Sequence, residues 1–214
     1  MHSLWHVEKQ FDYKGYTCVV VMQTMGHRCG YVGIPKEHPL YNKFYEDYLD
    51  IKKSDIGDRE VSGVFPLFSA VLDDDERVRI DAFFNCHGGI TYSDGGVCSN
   101  YPIESDLWWF GFDCAHYNDI PDYQAAKMIF SESDDVILRL SVAENAERQY
   151  PNTIGRVRSL DFVSSECIKL AEQLSEYESF VEKDKGVSIE GCSLDDLFGS
   201  GAEVLQQFKS SGGD

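Results

Sequence analysis

The chain has 214 residues, enough for one domain of ordinary size that buries a core without staples. Its 37 acidic against 19 basic residues give a net charge of −18, which argues against direct binding along a nucleic-acid backbone, because that needs clustered Lys and Arg. A small anionic ligand stays open, since groups such as Arg28 and Lys36, or backbone N–H groups in a glycine turn, can hold one phosphate whatever the global charge.

The segment Met1 to Glu8 has no basic region followed by an apolar core, and no apolar run approaches membrane-spanning length. The 7 cysteines (Cys18, Cys29, Cys86, Cys98, Cys114, Cys167 and Cys192) form an odd set without a C-x-x-C pair. They read as reduced thiols, and the expectation is a cytoplasmic protein with no membrane partner.

In chain order, Tyr16 to Met25 and Arg28 to Ile34 are Val- and Tyr-rich and flank the turn-like Met25-Gly26-His27, which predicts a β-hairpin stopped by Pro35. From Pro39 to Lys53, Tyr41, Phe44, Tyr45, Tyr48, Leu49 and Ile51 recur at three- and four-residue offsets, predicting a short surface helix. Val64 to Leu72 and Val78 to Phe84 flank an acidic turn. The second flank alternates through Val78, Ile80, Ala82 and Phe84 as a strand leading into His87. Leu107 to Asp113 predicts another strand, with Trp108, Phe110 and Phe112 on one face and Trp109, Gly111 and Asp113 on the other. Extended geometry would carry Cys114 and His116 along the aromatic face.

Between Ser159 and Val181, the residues Leu160, Val163, Cys167, Leu170, Leu174, Tyr177 and Val181 step alternately by three and four, the stripe of a long helix that buries one face. Ser159 is its expected N-cap, and Asp161 lies in the first turn where the helix dipole favours it. Packing on the chain's own sheet is the expected use of this stripe; a homodimer seam is the alternative. After Lys183 the composition turns to Gly, Ser and Asp, predicting a loosely attached tail whose pieces Ser193 to Phe198 and Val204 to Phe208 are short and amphipathic.

Reactive residues concentrate in Cys86-His87-Gly88-Gly89-Ile90-Thr91-Tyr92-Ser93 and in Trp108 to Asp119. A His followed by two glycines suits acid–base work or an anion contact, because glycine opens backbone angles that let a ligand approach the main chain. Cys114 and His116 read in three ways: as nucleophile and base; as metal ligands, with zinc the candidate ion and Cys86, His87, His27 or Cys29 completing the set; or as structural residues. Asp113 and Asp119 bracket the pair and could orient either histidine, while Asp119 to Asp122 reads equally as a turn whose carboxylates cap backbone groups. The loop Pro35 to Tyr41, with Lys36, His38 and Tyr41, reads by default as a surface loop and otherwise as a third wall of a pocket.

The runs Cys29 to Pro35, His38 to Tyr41, His87 to Ser93, and Trp108 to His116 with Asp119 resemble a family of small uncharacterised proteins encoded by bacteriophages and bacteria. The resemblance spans about residues 15 to 182 and leaves the tail outside. It implies a phage-like context, in which small proteins often act on host enzymes, nucleotide pools or defence signals.

Together these observations predict an α+β domain over residues 1 to 182, with a mostly antiparallel sheet from residue 4 to about 116, covered by the long C-terminal helix and the shorter 39 to 53 helix. The expected function is binding of a small polar ligand, most naturally a nucleotide or nucleotide-derived signal. Its pocket would comprise His38, His87, Gly88, Gly89, Tyr92, Cys114, His116 and Asp119. If the protein is a hydrolase, His87 or His116 would be the acid–base group, Cys114 the nucleophile, Asp119 an orienting carboxylate, and the Gly88-Gly89 N–H groups would stabilise charge. The alternative is a non-catalytic inhibitor that binds a host protein through its acidic surface or tail, as the charge would steer it.

Overall fold

A computed structural model describes residues 4–52, 77–96, 100–152 and 154–186. The strands β1 (Trp5–Tyr13), β2 (Tyr16–Gln23) and β3 (Arg28–Ile34) form an antiparallel meander. After β4 (Tyr48–Lys52), β5 (Arg77–Arg79) and the single-turn helix α1 (Ile80–Phe83), the strands β6 (Tyr92–Gly95) and β7 (Trp108–Asp113) return to that sheet. Its order is β1-β2-β3-β7-β6, antiparallel throughout. The remainder comprises β8 (Asp119–Ile120), α2 (Tyr123–Ile129), α3 (Asp134–Gln149), β9 (Arg156–Val157) and α4 (Leu160–Gly186). β8 pairs parallel with β9, and β4 pairs antiparallel with β5. The architecture is α+β, a mostly antiparallel sheet with one long C-terminal helix.

The sheet is buried on both sides, which is why β2 and β3 read as nearly continuous Val, Cys and Tyr rather than as strict alternation. On one side Cys18, Val20, Val32, Phe110 and Phe112 pack with Val163, Cys167, Leu170, Leu174 and Tyr177 of α4. Each fully buried aliphatic there contributes roughly 1.5–3 kcal/mol relative to exposure. The stripe foreseen for this helix is thus spent on the chain's own sheet. Gly30 makes the approach close: a Cβ there would lie 2.4 Å from Phe112 Cζ and 2.7 Å from Cys167 Sγ. On the other side Val19, Val21, Tyr31 and Trp109 pack with Trp5, Tyr92, Tyr101, Ile103 and Leu107.

Ser159 caps α4 as expected, accepting a hydrogen bond on Oγ from the Phe162 N–H at 3.1 Å. The helix runs on to Gly186, so its end lies beyond Val181. The part of the expected tail after Gly186 and the Val64 to Leu72 flank lie outside the described residues.

Two expected elements are corrected. The helix over 39 to 53 is instead a chain of turns ending in β4: Asn42 takes a left-handed φ of 63°, and the Asp47 carboxylate accepts the Phe44 N–H at 2.7 Å. The aromatic spacing there serves separate anchors, with the Tyr41 hydroxyl donating to the Asp106 carbonyl and the Tyr45 N–H donating to Ser93 Oγ. The Val78 to Phe84 strand stops at Arg79, because Phe83 breaks the alternation and is itself buried. One helical turn lets Phe83 and Phe84 both meet the Tyr177 ring, at centroid distances of 6.0 and 5.9 Å. Among the described residues no helix is long and apolar enough to cross a membrane.

Candidate functional site

The two reactive motifs meet at one carboxylate. After Phe84 the chain is pinned to α4 by Gln173, whose amide accepts the Asn85 N–H at 2.8 Å and donates to the Asn85 carbonyl at 2.7 Å. It then turns, the Gly89 N–H donating to the Cys86 carbonyl at 3.0 Å, with Gly88 and Gly89 at φ 72° and 88°. The second motif leaves β7 and turns at once: the Asp119 N–H donates to the His116 carbonyl at 2.8 Å, bringing the Asp119 side chain back beneath His116. Gly88 packs directly on that ring, since a Cβ there would lie 1.9 Å from His116 Cε1.

Asp119 is the hub, with its side chain 0% exposed. Its Oδ2 accepts from His87 Nε2 at 2.8 Å, His116 Nδ1 at 3.3 Å and the His116 backbone N–H at 3.1 Å, while Oδ1 accepts from Arg158 Nε at 2.6 Å. Burial opposes charge on this carboxylate, but the hydrogen bonds from Arg158, His87 and the His116 N–H outweigh it and bring its pKa down to about 2. An ionised carboxylate only accepts, so His87 carries its proton on Nε2 and His116 on Nδ1. The rings stand edge to face, 5.4 Å apart at 85°, and Phe162 of α4 closes on His87 at 5.3 Å.

The outer atoms of this cluster are free to act. His87 Nδ1, His116 Nε2 and the two terminal amino groups of Arg158 have no hydrogen-bond partner among the described residues, and none of them is a buried unsatisfied atom, so they reach solvent. Tyr117, beside His116, is 80% exposed.

Other residues singled out in the sequence lie elsewhere. Cys114 does follow the aromatic face of β7, and for that reason it is buried with Phe110 and Phe112; burial, reinforced by Asp119, pushes its thiol far up and makes it a core group rather than a nucleophile. His116, expected on the same face, is turned out of it by the 116–119 turn. His38 is buried near the middle of α4, where Nδ1 accepts the Leu40 N–H at 3.1 Å and Nε2 donates to the Leu174 carbonyl at 3.2 Å. Tyr92 lies on the opposite face of the sheet, edge to face with Tyr31.

The Gly89 N–H is used within its own turn, which removes it as an oxyanion donor. The six-residue Cys/His zinc set also comes apart. Cys29 is on the far face, Cys86 is a buried thiol pushed well up by desolvation, and His27 Nδ1 donates to the Cys114 carbonyl at 2.6 Å. Only His87 and His116 of that set converge, joined by Asp119. Asp113 takes no part, being held by the Thr91 hydroxyl and the Ala115 N–H, whereas Asp122 caps α2 through the Ala125 N–H.

Arg158, Phe162 and Gln173 went unnoticed in the sequence. The one available signal was a basic residue set just before the N-cap of the best-defined helix in an acidic chain. No family model, curated protein or solved structure matches this chain.

Proposed function

We propose that His87, Asp119 and His116 form the centre at which this protein binds a small polar ligand, a nucleotide or nucleotide-derived signal, and hydrolyses it with water. The observation that carries this reading is one ionised carboxylate holding two imidazoles from separate motifs, each with its second nitrogen facing solvent. Orientation by a fixed carboxylate sets the tautomer of a histidine that exchanges protons. The free amino groups of Arg158 suit a phosphate, and the exposed Tyr117 ring offers a stacking surface for a base. With Cys114 buried, water is the nucleophile. The family resemblance adds context, a phage-like protein acting in the cytoplasm on nucleotide pools or defence signals.

The test is a panel of nucleoside triphosphates, cyclic nucleotides and dinucleotides, with product release followed by chromatography. Turnover is expected in the native chain and in Cys114→Ala, and a loss of about 10²–10⁴-fold in His87→Ala and in His116→Ala. Equal turnover in both histidine variants would remove the centre from the chemistry.

A second reading, the inhibitor of a host protein, draws on the acidic surface and on Leu138 and Val142, which lie one turn apart on α3 and are 64% and 62% exposed. It predicts a salt-sensitive complex that survives both histidine substitutions.

A further inference from the structure

Three donors crowd one oxygen at the centre of the site: Asp119 Oδ2 receives two ring nitrogens and a backbone N–H, while Oδ1 receives only Arg158. The ring nitrogens and the carboxylate oxygen all lie within 4.8 Å of one another. We infer that His87 Nε2, His116 Nδ1 and Asp119 Oδ2 are a three-ligand face for one divalent metal ion of the zinc class.

The dimensions fit. Zinc holds imidazole nitrogen and carboxylate oxygen at about 2.0–2.2 Å, which puts neighbouring ligand atoms of a tetrahedron about 3.3–3.6 Å apart. Two edges of the triangle already measure 2.8 and 3.3 Å, so an ion enters by small outward movements of the rings. Binding reverses both ring tautomers: the protons leave the inward nitrogens, whose lone pairs bind the ion, and the outward nitrogens become N–H donors to solvent or ligand. Arg158 then holds the second carboxylate oxygen, the outer contact that fixes a ligating carboxylate. The buried thiols contribute nothing, so the set is two nitrogens and one oxygen, with a fourth position left for water as in catalytic rather than structural zinc sites.

The inference rests on the hydrolytic reading and names how its water is activated. Coordinated water gives one proton to solvent and its oxygen bonds to the electrophilic centre of the substrate; the bond to the leaving group breaks, and that group takes up a proton. The net change is addition of one water.

The experiment uses the full chain, stripped with a chelator and titrated with zinc and with cobalt(II), whose visible absorption reports coordination without any turnover. Stoichiometry is read by native mass spectrometry. The expected result is one ion per chain, unchanged in Cys114→Ala and weakened by about 10–100-fold or more in His87→Gln, His116→Gln and Arg158→Gln. His116→Gln, at a half-exposed position, keeps the test readable if His87→Gln fails to fold.

Absence of stoichiometric binding in the native chain, or equal affinity in the histidine variants, overturns the inference. One ion bound with no nucleotide turned over upholds the ion site and removes the hydrolytic reading. Turnover by chelator-stripped protein upholds that reading and overturns the ion's part in activating water.

Discussion

His38 and the pair His87–His116 contrast two uses of the same side chain along one helix. His38 sits against Leu174, with both ring nitrogens tied to backbone groups, and its burial lowers its pKa below the ordinary imidazole value. The pair sits by Phe162, twelve residues and so about 18 Å earlier along α4, with one nitrogen of each ring on a carboxylate and the other in solvent. Backbone partners on both sides make a histidine a structural strut, whereas a carboxylate on one side and water on the other leave it a proton to exchange. A sequence shows the histidine but not its partners, so the loop carrying His38 could be read as a third wall of the pocket built on the HGG motif.

The contrast breaks most visibly in turnover. Replacing His87 or His116 should lower it by about 10²–10⁴-fold, while His38→Gln should leave the turnover of each folded molecule unchanged. Steady-state rates normalised to folded fraction decide this. Next in size is Asp119→Ala, which leaves Arg158 charged and unpaired and frees both rings; Arg158 keeps some solvent contact, so the stability loss is at the low end for a buried pair, about 3 kcal/mol. Denaturant unfolding measures it, and the His38 ring resonances should stay in place.

His38→Ala should cost about 2 kcal/mol by leaving the Leu40 N–H and Leu174 carbonyl without their partner, with no loss of metal or ligand binding at the other end of the helix.

The pH response separates the two environments further. The folded chain resists protonation of His38 while the unfolded chain protonates near 6.5, so its contribution is complete above 6.5 and drains as pH falls below that value. The slope reaches up to about 1.4 kcal/mol per pH unit, and His38→Gln should flatten it in unfolding curves taken between pH 7 and 5. The Asp119 contribution is present above its ordinary value of 3.8 and is lost as pH falls from there through about 2, a much more acidic window. The smallest effect is expected from Ser159→Ala, which removes the cap beside Arg158 and should cost about 1 kcal/mol. Hydrogen exchange should show the first turn of α4 loosening while Leu174 stays protected.

Legibility in the sequence followed the range of the forces involved. β7 and α4 were readable because one period ran through each, and the β2–β3 hairpin because Val- and Tyr-rich runs flank a glycine turn; Trp108, Phe110 and Phe112 fell on the face foreseen for them. The stretch from Pro39 to Lys53 misled because turns anchored on Asp106 and Ser93 imitate helical spacing, and α3 was missed because only Val136 and Leu140 of its sixteen residues are buried. At the site, His87, Gly88, His116 and Asp119 stood out as residue types, but their meeting depends on β7 pairing with β3 and on Gln173 clamping Asn85, contacts remote in sequence. Cys114 fell on the face foreseen for it and is buried in the core there, whereas Tyr92 lies on the opposite face of the sheet, where side-chain alternation along a strand allows no compromise.

The most direct measurement is a long-range ¹H–¹⁵N spectrum of the histidine rings in chelator-stripped protein, repeated after one equivalent of zinc. Protons on Nε2 of His38, Nε2 of His87 and Nδ1 of His116 are predicted before addition, with the His87 and His116 nitrogens exchanging tautomer afterwards and His38 unmoved. Rings of His87 and His116 that show no carboxylate-fixed tautomer, and no response to zinc, would contradict the account.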